Sequence, residues 1–266
     1  MLSNGGENMN NKFLQLGALI LSCCLSAGVC SGDLLQPFSA RQVVDLTHTM
    51  HEDMPFWPGT GPFEIERLAD YDEGYRMHRF SLWENNGTHI DAPAHFIEGG
   101  RSVNELGLND LVVPVAVINV QDRVALDPDY QLSVQDVLTW EERNGRVRSG
   151  SLVVMNTGWY KKFSDPKVYI NQDETGVLHF PGFSVAAAQL LVERDIAGIG
   201  IDTLSLDPGN DLSFPVHKII LGAGKFQVEN MNNLDALPAR GAVAVIGVLP
   251  VKDASQAQAR IFAFME

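Results

Sequence analysis

The sequence is poor in cysteine, in positive charge and in long apolar runs, and each scarcity removes a class of function. Its three cysteines, Cys23, Cys24 and Cys30, all fall near the start. From Ser31 onward no thiol is left for a disulfide framework or a cysteine-ligated metal. Nineteen Lys and Arg stand against 33 Asp and Glu, a formal net charge of −14. Phosphate backbones and anionic membrane surfaces repel such a chain, so nucleic acid is not an expected partner. Neither a glycine-rich phosphate loop nor a G-x-S-x-G elbow occurs, which weighs against nucleotide use and serine-hydrolase chemistry. The one long apolar run, Phe13 to Val29, follows Lys12 and leads into Cys30-Ser31-Gly32. Basic, apolar and small residues in that order are the layout of a secretory leader. Gln15, Ser22 and Ser26 interrupt the run, which is also short for a membrane span. The expectation is a signal peptide over residues 1–31, a mature domain over 32–266 with no membrane span, and a periplasmic or secreted location.

What is present, 45% hydrophobic and 20% charged residues, is enough to bury one sizeable core. Val43 to Thr47 reads as a first strand, followed by a proline- and glycine-punctuated loop to Gly61 that presents Phe56 and Trp57. Phe63–Leu68 and His78–Trp83 alternate as a strand pair. Val112–Val120 is too rich in β-branched residues for a helix and reads as a buried strand, with Pro114 marking an edge or a bulge. Ser133 opens a helix to about Arg143, stopped by Asn144-Gly145. Ser151–Thr157 is a strand, Ser184 opens a helix over 185–194, and a strand returns over 197–202. Further strands are expected at 218–221, 242–249 and 261–264. Strand, helix and strand in repetition predict a single α/β domain with a mixed sheet.

Chemistry concentrates in Asn85-Asn86-Gly87-Thr88-His89-Ile90-Asp91-Ala92-Pro93-Ala94-His95-Phe96. If Thr88 to Asp91 is extended, His89 and Asp91 share a face and place an imidazole nitrogen beside a carboxylate oxygen, a start for a divalent-metal site. Pro93 stops the ladder, so His95 can curl back over that site. Two side chains hold a metal loosely. Phe226-Gln227-Val228-Glu229 supplies further donors, because Gln227 and Glu229 share one face of an extended segment. Asp202, Ser205 and Asp207 form another polar group, but beside Pro208-Gly209 they also read as a plain turn and are left out of the ligand set. His48, His51, His78 and His179 have no partner at ligand spacing and read as structural or surface residues.

The segment resembles the H-x-G-T-H-x-D-x-P-x-H signature of the cyclase-like metal-dependent hydrolases, the family of kynurenine formamidase and isatin hydrolase. Asp45-Leu46-Thr47-His48 with Met54–Gly59 is similar to that family's opening. Gly200-Ile201-Asp202-Thr203, Pro215-Val216-His217 and Glu229-Asn230 are similar to its closing half. The resemblance implies a swivelling β/β/α fold with helices outside a mixed sheet, and a homo-oligomer, at least a dimer, for which the Phe56-Trp57 loop offers an apolar contact. It also implies hydrolysis of an amide-like bond, with a divalent metal polarising the carbonyl and His95 as general base. Asn85 stands where the formamidase pattern has its first His. That departure favours the isatin-hydrolase branch, with a single metal, manganese ahead of zinc, on His89, Asp91 and Gln227. His217 and Glu229, with Asn85, then orient the ligands or, alternatively, join them. Phe56, Trp57, Trp83 and Trp159 suggest a flat aromatic or cyclic amide substrate, although large aromatics are also core residues.

Overall fold

A computed structural model describes residues 42–265; the expected leader and all three cysteines lie outside the described residues. Short aliphatic runs cut by proline, glycine and Asx turns give its strands. In chain order these are β1 (Gln42–Asp45), β2 (Glu64–Ala69), β3 (Met77–Ser81), β4 (His89–Asp91), β5 (Val112–Asn119), β6 (Gln131–Leu132), β7 (Leu152–Asn156), β8 (Gly182–Phe183), β9 (Gly198–Ile201), β10 (Phe226–Glu229), β11 (Arg240–Val248) and β12 (Gln256–Met265). The α-helices are α1 (Gln121–Val124), α2 (Val134–Asn144), α3 (Pro166–Ile170), α4 (Val185–Glu193) and α5 (Pro215–Gly222).

Eight strands form one mixed sheet in the order β1-β12-β11-β5-β7-β9-β10-β4. Its middle, β5, β7, β9 and β10, is parallel and reached through helical crossovers, which suits strands buried on both faces. The other pairings are antiparallel. β4 pairs with β10 on one side and with the start of β12 on the other, so every strand except β1 belongs to a closed ring. The expected mixed sheet with outer helices is therefore what the chain forms, closed like a barrel.

Alternation along the strands builds two apolar layers. Val113, Val115, Val117, Leu152 and Val154 fill one cluster, while Ala116, Ile118, Val153 and Met155 join Val137 of α2 and Leu191 of α4 in the other. Trp140 of α2 is tied down by its indole N–H, which donates to the Val117 carbonyl at 2.8 Å. On β9 a Cβ at Gly200 would sit 2.7 Å from Met231 Sδ, so a larger residue there would have to displace the Met231 side chain. Pro114 marks a bulge and not an edge: β5 lies mid-sheet, and the register of β11 slips between Arg240 and Val243 opposite it.

The helix expected from Ser133 is present and closed by a capping box in which the Ser133 side chain accepts from Asp136 N. One element is different in kind. Residues 218–221 are helical, in the middle of α5, and not a strand. Four apolar-rich residues do not distinguish the two periods, and the decisive signal is remote. Asp207 accepts from Val216 N at 2.8 Å and His217 N at 3.1 Å, capping a helix that Pro215 opens. Separate from the barrel, β2 and β3 pair as a two-stranded ribbon. Tyr71, Phe80 and Trp83 in and around it are 71%, 58% and 53% exposed.

Candidate metal centre

β4 is three residues long and both its neighbours are antiparallel, and this register builds the site. Gln227 of β10 and Gln256 of β12 flank Asp91, while Glu229 and Gln258 flank His89. Side chains alternate along a strand, so these six stand together on one face. Ile90, Val228 and Ala257 between them turn the other way into an apolar cluster.

Hydrogen bonds fix each imidazole. His89 Nδ1–H donates to the Gly87 carbonyl at 2.8 Å, across a turn in which Gly87 takes a φ of 66° that favours glycine. Its Nε2 therefore faces Asp91 Oδ1 and Glu229 Oε2, each 3.3 Å away. His217, carried on α5, donates Nδ1–H to Asp207 Oδ2 at 2.6 Å. Its Nε2 faces Asp91 Oδ2 at 3.4 Å and Glu229 Oε1 at 3.2 Å. Each carboxylate thus presents one oxygen to each ring. Gln256 Nε2 donates to Asp91 Oδ1 at 2.8 Å, and Leu206 N donates to Glu229 Oε1 at 3.1 Å. The turn after Pro93 returns His95 to the group: ligand atoms of Asp91, His95 and His217 lie within 4.8 Å of one another, as do those of His89, Asp91 and Glu229.

An imidazole lone pair and a carboxylate oxygen repel unless a proton or a cation lies between them. Burial disfavours a proton on His89, but Asp91 and Glu229 overcome it and push its pKa up to about 10. The same contest, with Asp207 added to the carboxylates, leaves His217 well above its ordinary value. Burial alone would raise Asp91, yet His217 and His89 hold it well below the usual carboxylate range. His95 goes the other way: burial lowers its pKa, and Asp91 offsets only part of that.

A divalent cation fits this donor set. His89 Nε2, Asp91 Oδ2 and both amide atoms of Gln227 are buried with no hydrogen-bond partner. An unsatisfied buried polar group costs about 1–3 kcal/mol, so several together call for a ligand. Donors each about 2.1 Å from a shared cation are roughly 3.0–3.4 Å apart, and the His–carboxylate separations of 3.2–3.4 Å are of that size. Imidazole, carboxylate and amide oxygen are all ordinary ligands of such ions.

The site opens into a cleft of about 240 Å³ lined by Trp57, Asn85, His95, His217, Glu229 and Gln256, with Phe96, Phe214, Leu204 and Ser205 closing it. Of the four aromatics expected at the substrate, Trp57 alone lines this cleft. Phe56 is half-buried elsewhere, Trp83 is exposed on the ribbon side, and Trp159, 2% exposed, is a core residue whose indole N–H donates to the Tyr169 carbonyl at 2.8 Å. Trp57 itself faces Phe180 and Phe214 and is half-buried, whereas Tyr71, Phe80 and Trp83 in and around the β2–β3 ribbon are exposed. Sequence reasoning missed Gln256, Phe96 and Phe214, and set Asp207 aside as a turn residue. His48 is stacked on Phe163 with centroids 3.6 Å apart, and burial lowers its pKa to about 4; His179 is held between Asp129 and Asp173.

Paired imidazoles and carboxylates on a closed mixed sheet, beside a cleft with a further histidine, define a metal-dependent hydrolase centre. The chain belongs to the cyclase family: the family described as "Putative cyclase" matches residues 44–208. It is 31% identical over 242 residues to isatin hydrolase from Roseibium aggregatum, covering 84% of this chain and 92% of that protein. It is 25% identical over 191 residues to kynurenine formamidase from Bacillus cereus, covering 71% and 81%. The structure of an isatin hydrolase bound to the product analogue thioisatinate superposes with a TM-score of 0.82 at 29% identity, over 87% of this chain and 95% of that one. Among the described residues no helix is long and apolar enough to cross a membrane.

Proposed function

We propose that the protein hydrolyses the amide bond of a cyclic aryl lactam, as isatin hydrolase is named for doing, and that one divalent cation, manganese ahead of zinc, is held by His89, Asp91 and Gln227. The observation that carries this is the set of orphaned atoms, His89 Nε2, Asp91 Oδ2 and the Gln227 amide, gathered on two neighbouring strands. When bound, the cation supplies Lewis-acid polarisation of the lactam carbonyl and makes water more acidic. Oxygen-rich donor sets suit manganese better than tetrahedral zinc.

The chain's own residues do the rest. His95 lines the cleft without being bonded into the grid, and its lowered pKa leaves the ring neutral at neutral pH. It accepts the proton of the attacking water and delivers it to the leaving nitrogen, so that the C–N bond breaks with hydroxyl on carbon and hydrogen on nitrogen. Asp207 holds the His217 ring in one tautomer, and Gln256 fixes one Asp91 oxygen. Trp57, Phe96 and Phe214 give the flat substrate an apolar wall.

A second reading places two cations in the site, favoured by His217 Nε2, which faces the second oxygen of each carboxylate as His89 faces the first. It would bring the chain nearer to the formamidases, against which Asn85 at the cleft weighs, since an amide binds divalent metals more weakly than imidazole. Side-by-side hydrolysis of isatin, N-formylkynurenine and simple cyclic imides, with manganese and with zinc, tests the assignment. Faster turnover of N-formylkynurenine than of isatin would overturn it. The proposal includes export, with a mature N-terminus near Gly32, and association of two chains through the exposed β2–β3 ribbon, since a lone two-stranded ribbon is marginal in water.

A further inference from the structure

We propose that the cleft continues past Trp57 and Phe214 into a second, uncharged chamber that receives an apolar substituent of the substrate, so that the preferred substrate is an arylated lactam and not the bare bicycle. This rests on the lactam-hydrolase reading above and names its substrate class.

The chamber is the larger of the two spaces, about 530 Å³ against about 240 Å³ for the cleft that holds His95, His217 and Glu229. The smaller one lies below the roughly 300–1,000 Å³ that small-molecule sites usually occupy, and the chamber brings the site into that range. Trp57 and Phe214 belong to the walls of both, with ring centroids 5.8 Å apart, so the two spaces adjoin across those two rings. Phe214 is held there at a conformational cost. Its backbone is left-handed, φ 52° and ψ 51°, immediately before Pro215 opens α5. A bulky residue in that region is an outlier, and such strain gathers where a site over-determines the backbone. What the strain secures is a ring placed 5.6 Å from Phe96 and 5.5 Å from His217 as well as against Trp57.

The chamber's chemistry selects its occupant. Its lining, which includes Pro58, Val177, Leu178, Asn210 and Leu212, contains no Asp, Glu, Lys, Arg or His, in a chain with 33 acidic and 19 basic residues. Gln172, Thr175 and Asn210 add polar atoms, but a charged substituent would give up part of its hydration there with no opposite charge to offset it, whereas an aryl or alkyl group would leave water for Trp57, Leu178 and Phe214. The Asn210 amide has no hydrogen bond among the described residues and lines the chamber, where it can meet one ether or carbonyl oxygen.

The test is the ratio of kcat/KM for phenyl-bearing isatins, substituted in turn at each ring carbon and, as N-benzyl, at the ring nitrogen, to that for isatin itself. The proposal expects at least one to exceed isatin tenfold, with a carboxylate in place of the phenyl group abolishing the gain. Val177→Trp and, as a second filler at an exposed position, Asn210→Trp should each cut that ratio at least tenfold. Every substituted lactam falling below isatin, or a preference that survives both fillers, overturns the chamber and leaves the lactam reading standing. If no isatin is turned over, the lactam reading falls, and the chamber is judged by isothermal titration of the same panel: tighter binding of a phenyl-bearing member, lost in the fillers, supports it, and equal or weaker binding overturns it.

Discussion

Gln227 is fully buried and neither atom of its amide has a hydrogen-bond partner. If that amide is there for a cation, removing it should have opposite effects on the metal-free and metal-loaded protein. Gln227→Met keeps the length of the side chain and deletes both polar atoms. Burying an unsatisfied amide costs about 1–3 kcal/mol, so the chelator-treated variant should be more stable than the wild type by about that amount. For a domain of this size each kcal/mol moves the melting temperature by roughly 2–4 °C. With manganese in excess the order should shrink or reverse, because a ligand that binds only the folded state stabilises in proportion to the logarithm of its affinity, and the variant has lost a donor. Scanning calorimetry of both proteins, with chelator and with a manganese series, reads the two effects together. A variant less stable than wild type in chelator, with unchanged response to manganese, would show that Gln227 is a satisfied packing residue and that the ligand argument fails.

His95→Ala should retain the metal and lose roughly 10²–10⁴-fold in kcat, the scale of a positioned proton acceptor; metal content and turnover measured on one sample check this, and joint loss of both would make His95 a ligand. Burial pushes the Asp202 carboxyl up to about 6, against hydrogen bonds from Thr157 and Tyr160. The folded state then takes up this proton at a higher pH than the unfolded chain, so stability rises as pH falls through 6 towards 3.8, by roughly 3 kcal/mol at 1.36 kcal/mol per pH unit. Asp202→Asn lacks that rise, and urea midpoints at pH 7 and 4.5 should move in the wild type's favour on acidification; parallel profiles would refute it. Phe80→Lys on the ribbon with Tyr71→Lys in its connecting turn, both exposed, should convert the proposed dimer to a monomer by light scattering, whereas a wild type already monomeric at micromolar concentration contradicts the association.

Much of the site was legible because a strand has a period of two. Placing His89 with Asp91, and Gln227 with Glu229, needs only that each short segment be extended, and β4 and β10 are. The same rule separated strands from helices wherever a cap or a β-branched run was local, as at Ser133 and along β5. What stayed hidden depends on contacts remote in sequence. Gln256 reaches Asp91 only because β12 pairs with β4, 165 residues away along the chain. Asp207 looks like a turn residue until α5 is seen to start on its carboxylate, and without that cap residues 218–221 pass for a strand. Trp159 is expected at the substrate as a large aromatic, but its side chain is closed off by the core and by Tyr169. No rule of spacing tells a lining aromatic from a core one, which is also why Phe214 went unnoticed.

The central claim, a single divalent cation on His89, Asp91 and Gln227, is tested most directly by elemental analysis of protein purified without added chelator. The account predicts about one divalent ion per chain, manganese in preference to zinc when both are offered, and none in His89→Ala. Protein that binds no divalent ion would contradict it outright, and two zinc ions per chain would contradict the single-cation site and favour the formamidase reading.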